Sequence, residues 1–192
     1  MSRVIVVGSI NQDVTVTVDR FANPGETLSG TSLTYGLGGK GANQAAAAAH
    51  SGVPVFFVGA VGADPSGQRL RAELASHGVD VTHLREVDGP SGTALITVNS
   101  SGENTIILDA GANATVTVEP AKASLFPSPA DIVVLQAEIP EAANAEALAW
   151  AHSFGARVLL NLAPARPIDT AFMARVDVLV VNETEAGLTL GM

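Results

Sequence analysis

The sequence predicts an α/β protein: a doubly wound, mostly parallel sheet with helices on both faces, plus a small β-sheet lid over one edge. Three observations predict it. Short branched apolar runs such as Val4–Val7, Val55–Val58 and Ile132–Leu135 read as buried strands. Helical segments separate most of the core runs, an alternation that means parallel βαβ units with right-handed crossovers. Two blocks, residues 12–35 and 93–108, stand outside that alternation and carry strands with one wet face.

Val4–Val7, bounded by Gly8, opens the core. Val14, Val16 and Val18 alternate with Thr15, Thr17 and Asp19, the period of a half-exposed strand. Pro24-Gly25 makes a turn, and Thr27–Tyr35 continues extended. A glycine-dense loop follows, then a helix over Asn43–Ser51 that Gly52 and Pro54 stop. Val55–Val58 is again a strand, and Pro65–Ser76 an amphipathic helix with Gly78 as a suitable C-cap. Thr93–Asn99 and Thr105–Leu108 flank a turn at residues 100–103, a hairpin signature. After Gly111-Ala112-Asn113 come strands at Ile132–Leu135, Arg157–Leu160 and Val178–Val181. Helices at Glu141–Ser153, around Ala171 and at Glu183–Leu190 alternate with them.

The loop Gly36-Leu37-Gly38-Gly39-Lys40-Gly41-Ala42-Asn43-Gln44 is the densest chemical signal, and it holds one of only two lysines in the chain. Its glycines let a backbone approach a ligand closely, and the helix after it opens with unpaired N–H groups. Lys40, Asn43 and Gln44 add donors and acceptors, so the segment reads as a cradle for a small polar ligand. Gly36, Gly38 and Gly41 satisfy a dinucleotide spacing, but the first strand leads into Gly8-Ser9-Ile10-Asn11-Gln12-Asp13 instead. A phosphate-cradling P-loop fails as well, since Thr34 stands where its first glycine belongs and Gly41 follows the lysine. Ligands of open α/β sheets bind beyond the carboxyl ends of the strands. Asn11, Asp13, Glu138, Asn161 and Asn182 all fall just after expected core strands.

Composition narrows the classes. The 192 residues are 47% hydrophobic and 15% charged, which suits a packed domain. A net charge of −9 with scattered basic residues excludes a nucleic-acid binder. With no cysteine, disulfides, thiolate metal sites and cysteine nucleophiles are out. The N-terminal apolar run is too short for a secretory signal, and no run reaches the ~18 residues of a membrane span. A cytoplasmic location is the resulting expectation. The four histidines show no metal-ligand spacing, and no GxSxG serine motif is present.

Seven segments, in order along the chain, make it resemble the ribokinase-like (PfkB) sugar kinases. They are Gly8-Ser9-Ile10-Asn11-Gln12-Asp13, Pro24-Gly25-Glu26-Thr27, residues 38–45, Gly102-Glu103-Asn104, Ala110-Gly111-Ala112-Asn113, residues 161–165 and residues 181–186. The resemblance implies ATP-dependent phosphorylation of ribose at its 5-hydroxyl. It implies that Asn11, Asp13, Gly39, Lys40, Gly41 and Asn43 bind the sugar, with Glu138 on the opposite wall. Asn182 would lie near the ATP phosphates, and Glu185 would act on Mg²⁺ through water. The core would comprise residues 1–11, 36–92 and 109–192, and the lid residues 12–35 and 93–108. The lid strands would also pair two subunits into a homodimer.

The residues support that chemistry on their own account. A carboxylate such as Asp13 can accept from two adjacent hydroxyls, as a neutral polyol requires. Asn182 and Glu185, three apart at a strand-to-helix junction, can face one ligand; Asn182 equally suits an N-cap. The family's Gly-Ala-Gly-Asp segment, whose aspartate deprotonates the sugar hydroxyl, does not occur in this sequence. The catalytic aspartate is therefore expected beyond Met192, with much of the adenine pocket and any monovalent-cation (K⁺) site, and the chain alone is expected to be inactive. The alternatives are a kinase for another sugar or nucleoside and a non-catalytic sugar-binding fragment.

Overall fold

Branched apolar runs become the inner strands of the larger sheet, because burial on both faces selects them. In chain order the strands are β1 (Val4–Val7), β2 (Asn11–Thr17), β3 (Ser32–Gly38), β4 (Val55–Gly62) and β5 (Leu84–Val87). They continue as β6 (Gly92–Val98), β7 (Asn104–Asp109), β8 (Ile132–Gln136), β9 (Arg157–Asn161) and β10 (Val178–Val180). Helices are α1 (Lys40–His50), α2 (Pro65–Ser76), α3 (Glu119–Lys122), α4 (Glu141–Ser153), α5 (Thr170–Met173) and α6 (Glu183–Leu190). A 3₁₀ turn spans Gly111–Thr115. The computed structural model describes residues 2–190; Met1, Gly191 and Met192, which the expected core segments include, lie outside the described residues.

The larger sheet is parallel throughout, with strand order β10-β9-β8-β1-β4-β5. The order of growth reverses between β1 and β8. Loops leaving those two strands diverge to opposite faces, so a crevice opens at their carboxyl ends. Alternation along β1 feeds two cores. Ile5 and Val7 belong to one with Leu148, Trp150 and Ala151 of α4. Val6 belongs to the other with Ala42 and Ala45 of α1 and Leu70 and Leu74 of α2. Each such leucine contributes on the order of 2–3 kcal/mol by burial.

The smaller sheet has four strands, in the order β3-β2-β6-β7. β2 and β6 run parallel at its centre, while β3 and β7 flank them antiparallel.

Two expectations are corrected. Gly36 and Gly38 belong to β3 rather than to a loop, and α1 begins at Lys40 rather than Asn43. Pairing of Asn11 with Gly38 and Asp13 with Gly36 supplies ladder bonds that outweigh the weak strand preference of glycine. β5 gave no sequence signal, because an edge strand tolerates Arg85 and Glu86 between its two apolar residues. The 3₁₀ turn and α3 are too short to show a period.

β1 is tied down at its start by Asp131, which is fully buried. Asp131 accepts from the Arg3 backbone N–H at 2.9 Å and from Arg3 Nη2 at 2.6 Å. Burial opposes its charge, but the bonds from Arg3 and Ser128 outweigh burial and hold its pKa below the ordinary value. Among the described residues, no helix is long and apolar enough to cross a membrane.

Candidate functional site

The reversal between β1 and β8 brings together two chain segments far apart in sequence. Ser9 follows β1 and Glu138 follows β8. The Ser9 hydroxyl donates to Glu138 Oε2 at 2.6 Å, and the Lys40 backbone N–H donates to the same oxygen at 2.9 Å. The carboxylate thus sits at the start of α1, held by one hydroxyl and one backbone N–H. The other oxygen, Oε1, is the one left for a ligand.

Gly39 lets α1 begin this close to β1. Its φ is 89°, and a Cβ there would stand 2.9 Å from Asn11 N and Ile10 Cα. Gly41 packs one residue further on. A Cβ at Gly41 would meet Ser9 N at 2.6 Å, and its N–H donates to Ser9 Oγ at 3.3 Å. The glycines thus dock the helix onto the strand end, and Lys40 and Asn43 share the face that remains.

A cavity of about 430 Å³ lies at this point. Asn11, Asp13, Gly39, Lys40, Asn43, Glu138 and Glu185 line it, with Pro164. Ala94 and Ile96 of β6 and Ile106 and Leu108 of β7 form its apolar side. Register explains that grouping: Asp13 pairs with Ala94, Ala94 with Leu108, and Ile96 with Ile106, so all share one face of the smaller sheet.

The charges in the cavity are unbalanced, three carboxylates against one ammonium. Asp13 feels this. Its partial burial, and secondly the nearby Glu138 charge, push its pKa above the ordinary 3.8.

Seven of the nine residues that the resemblance implies therefore line one cavity, and two do not; Gln44 and Asn161 are not among its lining either. Gly41 packs behind it. Asn182 caps α6: its Oδ1 accepts from the Glu185 N–H at 2.8 Å, while Glu185 Oε2 accepts from the Asn182 N–H at 2.8 Å. This is a capping box. Two further residues support the site: Ser9, which donates to Glu138, and Asn113, whose Nδ2 donates to Asn11 Oδ1 at 2.7 Å. They stand inside residues 8–13 and 110–113, segments distinctive in the sequence, but neither has a signal of its own. The apolar side could have been read from the period-two spacing of Ala94 and Ile96, and of Ile106 and Leu108.

Among the described residues, no group of three or more His, Cys, Asp or Glu side chains could hold a metal ion. A single carboxylate such as Glu185 bordering the cavity suits a hydrated Mg²⁺, which keeps its waters and takes few protein ligands.

Carboxylates, amides and one ammonium converging beside an apolar wall, at the strand ends of a doubly wound sheet, can together bond the hydroxyls of a small polar molecule. The chain belongs to the pfkB family of carbohydrate kinases, whose family model matches residues 1–192. It is 38% identical over 191 residues to a ribokinase of Haemophilus influenzae, covering 97% of this chain and 62% of that protein. A deoxyribokinase of Salmonella typhi is 34% identical over 192 residues, covering 98% of this chain and 63% of its own length. The structure of Arabidopsis thaliana ribokinase complexed with ribose and ATP superposes with a TM-score of 0.84 at 33% identity, covering all of this chain and 64% of that one. The chain thus spans a little under two thirds of the length of these relatives.

Proposed function

We propose that this chain carries the sugar-binding part of an ATP-dependent ribose kinase, which presents the 5-hydroxyl of D-ribose to the γ-phosphate of ATP. The convergence of Asn11, Asp13, Lys40, Asn43 and Glu138 on one cavity carries this reading. Asp13 accepts from two neighbouring hydroxyls, Lys40 and Asn43 donate, and Glu138 accepts through Oε1. The apolar side covers the C–H face of the furanose and keeps out water, which would compete as phosphoryl acceptor. Three carboxylates against one ammonium favour a neutral sugar and repel a phosphorylated one. Glu185 would hold water on the Mg²⁺ that travels with ATP, and Asn182 would stand beside the phosphates. When bound, MgATP supplies the transferable phosphoryl group. A monovalent cation such as K⁺ and the catalytic aspartate would belong to the part of the relatives' length that this chain does not span. The division into core (1–11, 36–92, 109–192) and lid (12–35, 93–108) follows the same reading, as does a cytoplasmic location.

The test is calorimetric titration of the 192-residue chain with D-ribose, 2-deoxyribose and ribose 5-phosphate, alongside an ADP-release assay. Ribose is expected to bind, ribose 5-phosphate at least about 10-fold more weakly, and ADP is not expected to form. Tighter binding of 2-deoxyribose would reassign the substrate. Ribose-dependent ADP formation would overturn the claim of inactivity.

We further propose that the smaller sheet pairs two copies of this chain. Leu33 and Tyr35 of β3, Leu95 of β6 and Ile107 of β7 share the face turned away from the cavity, with Tyr35 56% and Ile107 69% exposed. A contiguous apolar face of this kind marks an interaction surface. Sedimentation velocity should report a dimer that Ile107→Asp converts to monomer; a wild-type monomer at tens of micromolar, on the order of a weak transient affinity, counts against it.

A further inference from the structure

Asn113 sits in the 3₁₀ turn after β7, and only 1% of it is exposed. Its side chain grips the chain where β2 begins. Oδ1 accepts from the Ile10 N–H at 2.9 Å, and Nδ2 donates to the Ile10 carbonyl at 3.1 Å and to Asn11 Oδ1 at 2.7 Å. These bonds fix polarity as well as position. A backbone N–H can only donate and a carbonyl can only accept, so Ile10 leaves the Asn113 amide one orientation. Its NH₂ must then face an acceptor, which obliges Asn11 to present Oδ1 to it.

The remaining end of Asn11 is its NH₂, and Asn11, itself 5% exposed, lines the cavity. A second observation points the same way. Gly92 pairs with Asn11 across the β2–β6 register, and a Cβ at Gly92 would overlap both Asn113 Nδ2 and Asn11 Oδ1. Room for this pair of amides exists because residue 92 has no side chain.

We propose that Asn113 is a positioning residue that holds Asn11 as a pure hydrogen-bond donor toward the ligand. Two positions along the same face of β2, Asp13 is a pure acceptor. The cavity therefore sets a donor beside an acceptor, a pattern that a pair of adjacent hydroxyls satisfies at both places. A hydroxyl offers its lone pair to Asn11 and its proton to Asp13. An ammonium group at the first place, or an ether oxygen at the second, cannot. The inference rests on the sugar-binding reading above and specifies which end of Asn11 does the reading.

Asn113→Asp tests it with almost no change of shape. The aspartate keeps the acceptor for the Ile10 N–H but replaces the NH₂ with an oxygen that repels the Ile10 carbonyl and Asn11 Oδ1. Asn11 is expected to turn its NH₂ toward Asp at 113 and its oxygen into the cavity. Ribose affinity, measured well below the melting temperature, should fall about 10-fold or more. Wild type, Asn113→Asp and Asn11→Ala are titrated with ribose and with its 2-deoxy, 3-deoxy and 5-deoxy forms. One deoxy penalty present in wild type should vanish in both variants while the others persist. A destabilised scaffold would not remove one penalty selectively. An Asn113→Asp protein with wild-type affinity and the same deoxy profile overturns the proposal.

If wild type binds none of these sugars, the substrate reading fails and the positioning claim is judged without ligand. The Asn113 side-chain amide protons should then resist solvent exchange by NMR, and the Asn11 side-chain resonances should move in Asn113→Asp. Exchange of the Asn113 protons at the rate of an exposed amide overturns the claim. Should Asn113→Asp not fold, Asn113→Ala takes its place, with the same selective loss expected.

Discussion

Gly39→Ala is expected to abolish sugar binding and to cost the fold about 2–6 kcal/mol. Two penalties add. With φ 89° and ψ 133°, Gly39 occupies backbone space that residues with a Cβ avoid, which costs about 1–3 kcal/mol. The added Cβ would also stand 2.9 Å from Asn11 N and Ile10 Cα and 3.0 Å from Ser9 O. Those atoms are backbone and cannot swing aside, so overpacking adds about 1–3 kcal/mol. Relief requires α1 to move off the end of β1, which breaks the bond from Lys40 N to Glu138. Gly36→Ala is the control, since nothing stands within 4 Å of a Cβ there. It should change stability by less than about 1 kcal/mol. Urea unfolding midpoints and ribose titration of both variants decide the matter, and matching behaviour of the two would refute this account of the site.

Asp13→Asn is expected to weaken ribose binding about 10- to 100-fold while raising stability at neutral pH. The first effect follows from hydrogen bonds to a charged acceptor, worth about 1.5–3 kcal/mol. The second follows from linkage. Burial first, and the Glu138 charge second, raise the folded pKa of Asp13 above its ordinary 3.8. A raised carboxyl holds its proton more tightly in the native state than in the unfolded chain. Its contribution to stability is fully present below the unfolded pKa and is lost as pH rises through the folded one. At neutral pH the ionised Asp13 is therefore a burden that asparagine removes. Melting curves of wild type and variant should diverge above that window and converge at pH values below about 3.8, the ordinary aspartate pKa. A variant that melts lower at neutral pH and still binds ribose normally would contradict both parts.

Much of the core was legible because its signals are local. α2 lies at Pro65–Ser76, as its amphipathic pattern and Gly78 predict, and α4 at Glu141–Ser153, ahead of Gly155, as expected. Pro65 starts α2 behind Asp64, whose side chain accepts from the Gly67 N–H at 2.6 Å. The errors fall where long-range pairing overrides local preference: Gly36 and Gly38 are drawn into β3 by β2, and β5 exists because β4 offers it an edge.

The site divides along the same line. Asp13, Lys40, Asn43 and Glu138 were nameable from residue type and position, since donors and acceptors after strand ends have a chemistry of their own. The partners of those residues were not. Nothing in the sequence says that a serine after β1 meets a glutamate 129 positions away, or that Asn113 reaches Ile10 and Asn11.

The sequence alone determined the class of fold, most of the strands and helices of the core, and the residue types able to hold a polyol, because periodicity and side-chain chemistry are written residue by residue. Tertiary structure decided the strand order, the reversal between β1 and β8, and which end of the Asn11 amide Asn113 holds. Those depend on contacts between segments a hundred residues or so apart, and such contacts are selected by the whole packed core rather than by any local run.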